Sequence, residues 1–261
     1  MSINFMPFVW VLITLPILLI LQRWIHRHLH GLSYLITGNK NWATILYAII
    51  LFPGVLLHEL SHWISATLLG VRTGAFSLLP KTKSDGSIQL GYVEYYKTSR
   101  VGPVRESLIG AAPLVTGSIV VLLIGIQIFD VDQIAASIQN GDIEILANTL
   151  SNLFSTADFL IWLYLLFAVS NAMMPSSSDR KAWPAFALIM VVLAVILYVL
   201  GLQDYLLAGV AGPVATLSGF LGLAFSLTIG VNLFFMLFVH SSEWLISRAK
   251  GVDVVYGKVD S

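Results

Sequence analysis

The chain has 261 residues, 57% hydrophobic and only 11% charged, with fourteen basic residues balancing fourteen acidic ones. Soluble domains carry about 25% charged residues, so a soluble globular protein is excluded, and without a basic stripe to neutralise phosphates nucleic acid is excluded as a partner. Cysteine is absent, which removes disulfides, thiol catalysis and Cys-ligated zinc and leaves His, Asp and Glu as the available zinc ligands.

Apolar runs near the roughly 20 residues needed to cross a bilayer recur along the chain. They predict an all-α polytopic membrane protein of about six transmembrane helices, one integral domain over residues 1–261 lying in the lipid bilayer. The predicted spans are 5–22, 42–70, 107–129, 157–174, 182–202 and 217–240. Residues 5–21 lack a basic n-region and a convincing cleavage site, so they read as a first anchor rather than a cleavable signal. His26, His28 and His30 follow, beside Arg23, Trp24 and Arg27. Alternation on every second residue spreads them around a helix, which predicts an interfacial basic anchor with snorkelling side chains.

Within the second span, His58-Glu59-Leu60-Ser61-His62 is an H-E-x-x-H motif. From 43 to 69 these two histidines and Glu59 are the only charged or imidazole side chains. Residues four apart share a helix face, so both imidazoles reach one ion, and Glu59 can take a proton from a metal-bound water. An ionisable cluster inside hydrocarbon is costly and marks a functional site.

Residues 72–80 and 87–96 are strand-like, and Ser84-Asp85-Gly86 between them is a turn signal. They predict a short membrane-associated β-hairpin over 72–96, with Tyr92, Tyr95 and Tyr96 at the interface. The connection 130–156 holds Asp130, Asp132, Asp142 and Glu144 with no Lys or Arg. Basic residues in 71–106, in 175–183 and in the tail put those segments inside by the positive-inside rule, and 130–156 outside. The basic connection 23–40 is the exception. Near residue 206 the last apolar stretch is too long for one straight span, and Gly209, Gly212 and Pro213 predict a short surface or re-entrant piece before the final helix.

A catalytic zinc site needs a third protein ligand. Asp179 is the choice, because it follows a span running in the same direction as the one that carries His58 and His62. Asp158 and His240 compete with it. Asn171, one or two turns earlier, reads either as an interhelical hydrogen-bond partner or as a donor to a substrate carbonyl.

These residues together resemble the site-2 protease family of intramembrane zinc metalloproteases. That family pairs an H-E-x-x-H helix with a later segment bearing Asn-x-x-Pro and an Asp-Gly whose Asp is the third ligand. Here His58, Glu59 and His62 match fully, and Asn171 and Asp179 keep the separation. Pro175 is displaced by one position, and Arg180 stands where Gly is usual. Gly110-Ala111-Ala112-Pro113-Leu114-Val115-Thr116 is similar to the family's Gly-Pro-x-x-Asn motif, and 72–96 to its membrane-associated strands. The resemblance spans most of 42–185.

It implies one zinc per chain held by His58, His62 and Asp179, with Glu59 as general base and Asn171 as a second catalytic residue. It implies an endopeptidase that cuts within or beside a transmembrane segment of a membrane protein, or of a membrane-tethered one, after that segment unwinds. A prokaryotic cell membrane, with the site towards the cytoplasm, is the expected location. Three rival readings are a zinc-binding membrane scaffold without proteolysis, a membrane metalloprotease of another class acting on soluble peptides, and a metal-ion transporter, which would need ionisable groups spread through several helices.

Overall fold

Lipid offers no partner for a backbone N–H or C=O, so apolar runs of this length must close their hydrogen bonds internally as helices. The computed structural model describes residues 5–82, 88–96 and 101–256. It contains α1 (Met6–Thr37), α2 (Lys40–Leu68), α3 (Pro103–Gln127), α4 (Val131–Asn140), α5 (Ile143–Ser155), α6 (Phe159–Ala172), α7 (Trp183–Val199) and α8 (Gln203–Lys250). The protein is an all-α polytopic membrane protein.

Four of the described helices are long and apolar enough to cross a membrane: α1, α2, α3 and the 209–250 part of α8. The pair α5 and α6, bent by 94°, makes a fifth if counted as one span. Six spans were expected. The difference lies in α6, whose 14 residues are too few to cross alone, and in α7, whose 17 stand at the lower limit.

Two expected interruptions are helix instead. The basic stretch 23–37 continues α1, leaving a two-residue turn before α2. Gly38 ends α1 at φ 65°, the left-handed conformation that glycine adopts freely. Asn39 caps α2, its side chain accepting from the N–H groups of Asn41 and Trp42. At the other end α8 runs unbroken through Pro213. The 130–156 connection is likewise helical, as α4 and α5.

The two longest helices lie side by side and parallel. Trp10 Nε1 donates to Ser226 Oγ, His28 meets Glu243 at 2.7 Å, and Lys250 Nζ donates to the Leu35 carbonyl at 2.5 Å. If both members of a parallel pair cross, the total number of crossings is odd, and five is the odd number these helices allow. The tail then lies with the α1–α2 turn, not with 71–106. That corrects the expected orientation, and it joins the tail to the basic 23–40 segment that stood as its exception.

After α2 come β1 (Thr73–Ser77), β2 (Lys81–Thr82), β3 (Ile88–Gln89) and β4 (Tyr92–Tyr95). β1 pairs with β4 and β2 with β3, both antiparallel, with a register shift between Thr73 and Phe76. The expected hairpin is present, and its predicted turn at Ser84, Asp85 and Gly86 lies outside the described residues. Of the tyrosines expected at the interface, Tyr96 is exposed, whereas Tyr92 is half-buried.

The main core joins α1, α2, α3, α6 and α8 around Leu18, Ile25, Leu51, Val121, Phe167 and Phe225. Glycines set how closely α6 is held. A Cβ on Gly54 of α2 would collide with the Ala168 carbonyl, and one on Gly117 of α3 with the Met173 side chain. The end of α6 is thus wedged between α2 and α3.

Candidate metal centre

His58 and His62 lie one turn apart on the C-terminal half of α2, facing the wedge. His58 Nδ1 donates to the Ala172 carbonyl at 2.6 Å, and His62 Nδ1 to the Ile109 carbonyl at 2.9 Å. With each Nδ1 proton engaged, each ring turns Nε2 inward. The two Nε2 atoms are 3.1 Å apart.

Asp179 arrives from the turn after α6. Ser176 N donates to Asp179 Oδ2 at 2.7 Å, and Asp179 N donates to Ser176 Oγ at 3.4 Å. This reciprocal pair aims the carboxylate. Its Oδ1 is 3.3 Å from His62 Nε2 and its Oδ2 is 3.7 Å from His58 Nε2. Close approach of the turn depends on Gly110, where a Cβ would collide with the Asp179 carbonyl. Burial alone would push the Asp179 carboxyl up, but the facing His58 and His62 imidazoles and the Ser176 N–H outweigh it and hold the group well below the usual carboxylate range.

One ligand atom from each of His58, His62 and Asp179 lies within 4.8 Å of the other two, and this group can hold a metal ion. The donor chemistry fits. Two imidazole lone pairs and a carboxylate converge, and the backbone carbonyls already take the Nδ1 protons. Two Nε2–H groups at 3.1 Å would point hydrogens at each other, so at most one proton fits between the rings. A cation satisfies all three acceptors together.

The expected site residues therefore meet at one place, with Asp179 and not its rivals as the third member. Asp158 sits at the N-cap of α6, and His240 is exposed on α8. Glu59 is buried to 6% exposure and lines the same cavity as the three ligands, a space of about 850 Å³. Gly91 roofs it closely: a Cβ there would lie 2.9 Å from Glu59 Cγ and 3.1 Å from Oε1. Residues 88–94 form that wall of the cavity, with Ser176 and Ser178 beside Asp179.

Asn171 lines the cavity but uses its amide elsewhere. Nδ2 donates to the Phe167 carbonyl at 2.9 Å and to Asn232 Oδ1 at 2.8 Å, tying α6 to α8. Both N–H hydrogens are spent and Oδ1 is left buried without a partner, so the side chain offers an acceptor rather than an oxyanion donor. Of its two expected roles, the geometry supports the interhelical one.

Sequence reasoning missed the groups that hold the last turn of α6. Gln22 Nε2 donates to the Ser170 carbonyl at 2.7 Å, and His26 Nε2 to the Asn171 carbonyl at 3.1 Å. His26 Nδ1 accepts from the Tyr47 hydroxyl at 2.6 Å. With His58 on Ala172, three successive carbonyls at the helix end, where no helical donors remain, each find a side chain. The expected histidine anchor is thus an interhelical polar layer: His26 and His30 flank Tyr47, and His28 faces α8. Gln22 and Asn232 carried a usable signal, because a polar side chain inside an apolar helix needs a partner.

No protein-family model matches this chain, and no curated protein or solved structure matches it either.

Proposed function

We propose that this chain is a zinc-dependent intramembrane endopeptidase, as its resemblance to the site-2 protease family implies. The observation that carries the reading is Glu59, a buried carboxylate beside a two-histidine, one-aspartate cluster on a membrane helix, opening on a cavity walled by β-strand backbone. Zinc suits the donor set and the spacing. Tetrahedral ligands at about 2.0–2.1 Å from an ion lie about 3.3–3.4 Å from one another, against 3.1, 3.3 and 3.7 Å here. When bound, such an ion lowers the pKa of a coordinated water and polarises a substrate carbonyl.

The chain's own residues do the rest. Glu59 accepts the proton of the attacking water and returns it to the leaving amine. A substrate helix must first unwind, since its carbonyls are engaged internally. β4 pairs with β1 alone among the described strands. It can take the unwound segment as an added strand, with main-chain hydrogen bonds giving affinity. Eight basic residues in 71–106 and 175–183, against six in 23–40 and the tail, favour the cytoplasmic side for the site.

The test is cleavage of a single-span reporter in proteoliposomes. Glu59→Gln should keep its zinc and lose about 10²–10⁴-fold in rate, and deletion of residues 88–96 should raise KM or abolish cleavage of membrane substrates. A Glu59→Gln protein that cuts at the wild-type rate refutes the protease reading.

A further inference from the structure

Pro113 lies inside α3, four residues after Ile109. In an unbroken α-helix the N–H of residue 113 would donate to the carbonyl of residue 109. Proline has no N–H, and its ring presses against the carbonyl four residues back. The Ile109 carbonyl is therefore left without its helical donor. It is also the carbonyl that takes the Nδ1 proton of His62. Ile109 is fully buried, so bulk water does not compete for that oxygen.

We propose that Pro113 is a positioning residue for the metal centre: by deleting one helical hydrogen bond it frees the buried carbonyl that fixes His62 with Nε2 inward. The inference rests on the reading of His58, His62 and Asp179 as a metal site. Two neighbouring arrangements follow the same logic. Ala172, which orients His58, ends α6, and the N–H four residues on, that of Ser176, is turned to Asp179 instead. Asn171, whose carbonyl takes His26, is followed four residues later by Pro175. Each of the three histidines on these carbonyls binds an oxygen that has lost its helical donor. At Pro113 the loss is written directly into the middle of a helix. Gly110, one residue past Ile109, admits the Asp179 turn, so a single turn of α3 serves two of the three ligands.

Substitution by alanine separates this role from ordinary helix packing, because the two predict opposite signs. Pro113→Ala restores the N–H, which then competes with His62 for the Ile109 carbonyl. On the full chain in detergent, zinc affinity by chelator competition should fall about 10–100-fold, the usual cost of losing a ligand's orienting partner. Thermal unfolding of the metal-free protein should stay level or rise, since alanine suits a helix interior far better than proline. The same change at Pro213 of α8 should leave zinc affinity unchanged. In the wild type, ¹⁵N-imidazole spectra of the zinc-loaded protein should place the His62 proton on Nδ1.

A Pro113→Ala affinity within about twofold of wild type, set against that expected loss, overturns the inference, as does an equal loss in Pro213→Ala. A proton on Nε2 of His62 overturns it too, and decides the matter alone if Pro113→Ala does not fold. Absence of zinc binding in the wild type overturns the metal reading itself.

Discussion

Each ligating imidazole has one nitrogen committed to a buried carbonyl and one turned to the centre, so a metal ion and a proton compete for the same Nε2 lone pairs. Asp179 does not share in that competition. The facing imidazoles and the Ser176 N–H hold its carboxyl below its usual range, so it stays ionised as the pH falls through the histidine range. Ligands bind only when deprotonated, and acidification should release zinc by protonating imidazole nitrogen. Zinc retained after dialysis across a pH series should drop in the histidine range, well above the carboxylate range; a drop confined to the carboxylate range would count against the assignment. At this scale the sequence was most legible. H-E-x-x-H names its chemistry through spacing on one helix, and Asp179 followed from counting spans. Asn171 was legible only as an alternative, because whether an amide faces a substrate or another helix depends on Asn232, sixty-one residues away.

Among the elements, α3 does more than cross the membrane. Its first turns carry the carbonyl that orients His62 and the gap that admits Asp179. Gly110→Ala should push the 176–179 turn outward and weaken zinc binding by at least about tenfold. Gly212→Ala meets nothing within 4 Å, so it should leave zinc affinity unchanged while adding about 0.5–1 kcal/mol of helix stability. Equal zinc affinities in the two variants would show that the close approach at Gly110 does not matter. The motif around Gly110 and Pro113 was visible in the sequence as a resemblance, but its use was not, since that depends on which carbonyl faces which ring. Helix lengths were also poorly legible at both ends. Pro213 read as a break and 23–40 as a connection between spans, whereas Pro213 and 23–37 are helical; over 23–37 the pairing with α8 carries α1 well past a bilayer's thickness. At 32 residues, α1 is about 48 Å long against a hydrocarbon core of about 30 Å.

At the scale of the molecule, the parallel α1–α8 pair makes the number of crossings odd if both helices cross, and sets the tail beside the end of α1. Arg27 donates to the Tyr256 carbonyl and stacks over its ring, while the Tyr256 hydroxyl donates to Glu243. Lys250, on the Leu35 and Ile36 carbonyls, is held at the α1–α2 turn, at the opposite end of α2 from His58 and His62, and residue 256 folds back beside Arg27. The absence of cysteine makes this simple to check by single-cysteine labelling with an impermeant reagent. Cysteines at Asn39 and Asp253 should react from one side, and a cysteine at Lys181 from the other. Reaction of Asp253→Cys and Lys181→Cys from the same side would restore the even count that the sequence suggested. Hydropathy could not decide this, because parity depends on which helices are neighbours and not on how apolar each one is.

The parallel pair has a further consequence. A chain that crosses an odd number of times opens its two ends into different aqueous compartments. With α1 and α8 both crossing, no single soluble partner can grip residue 5 and residue 250 of one molecule at once. Two halves of a split fluorescent reporter, fused ahead of residue 5 and beyond residue 256, would stay apart on the same chain however flexible their linkers.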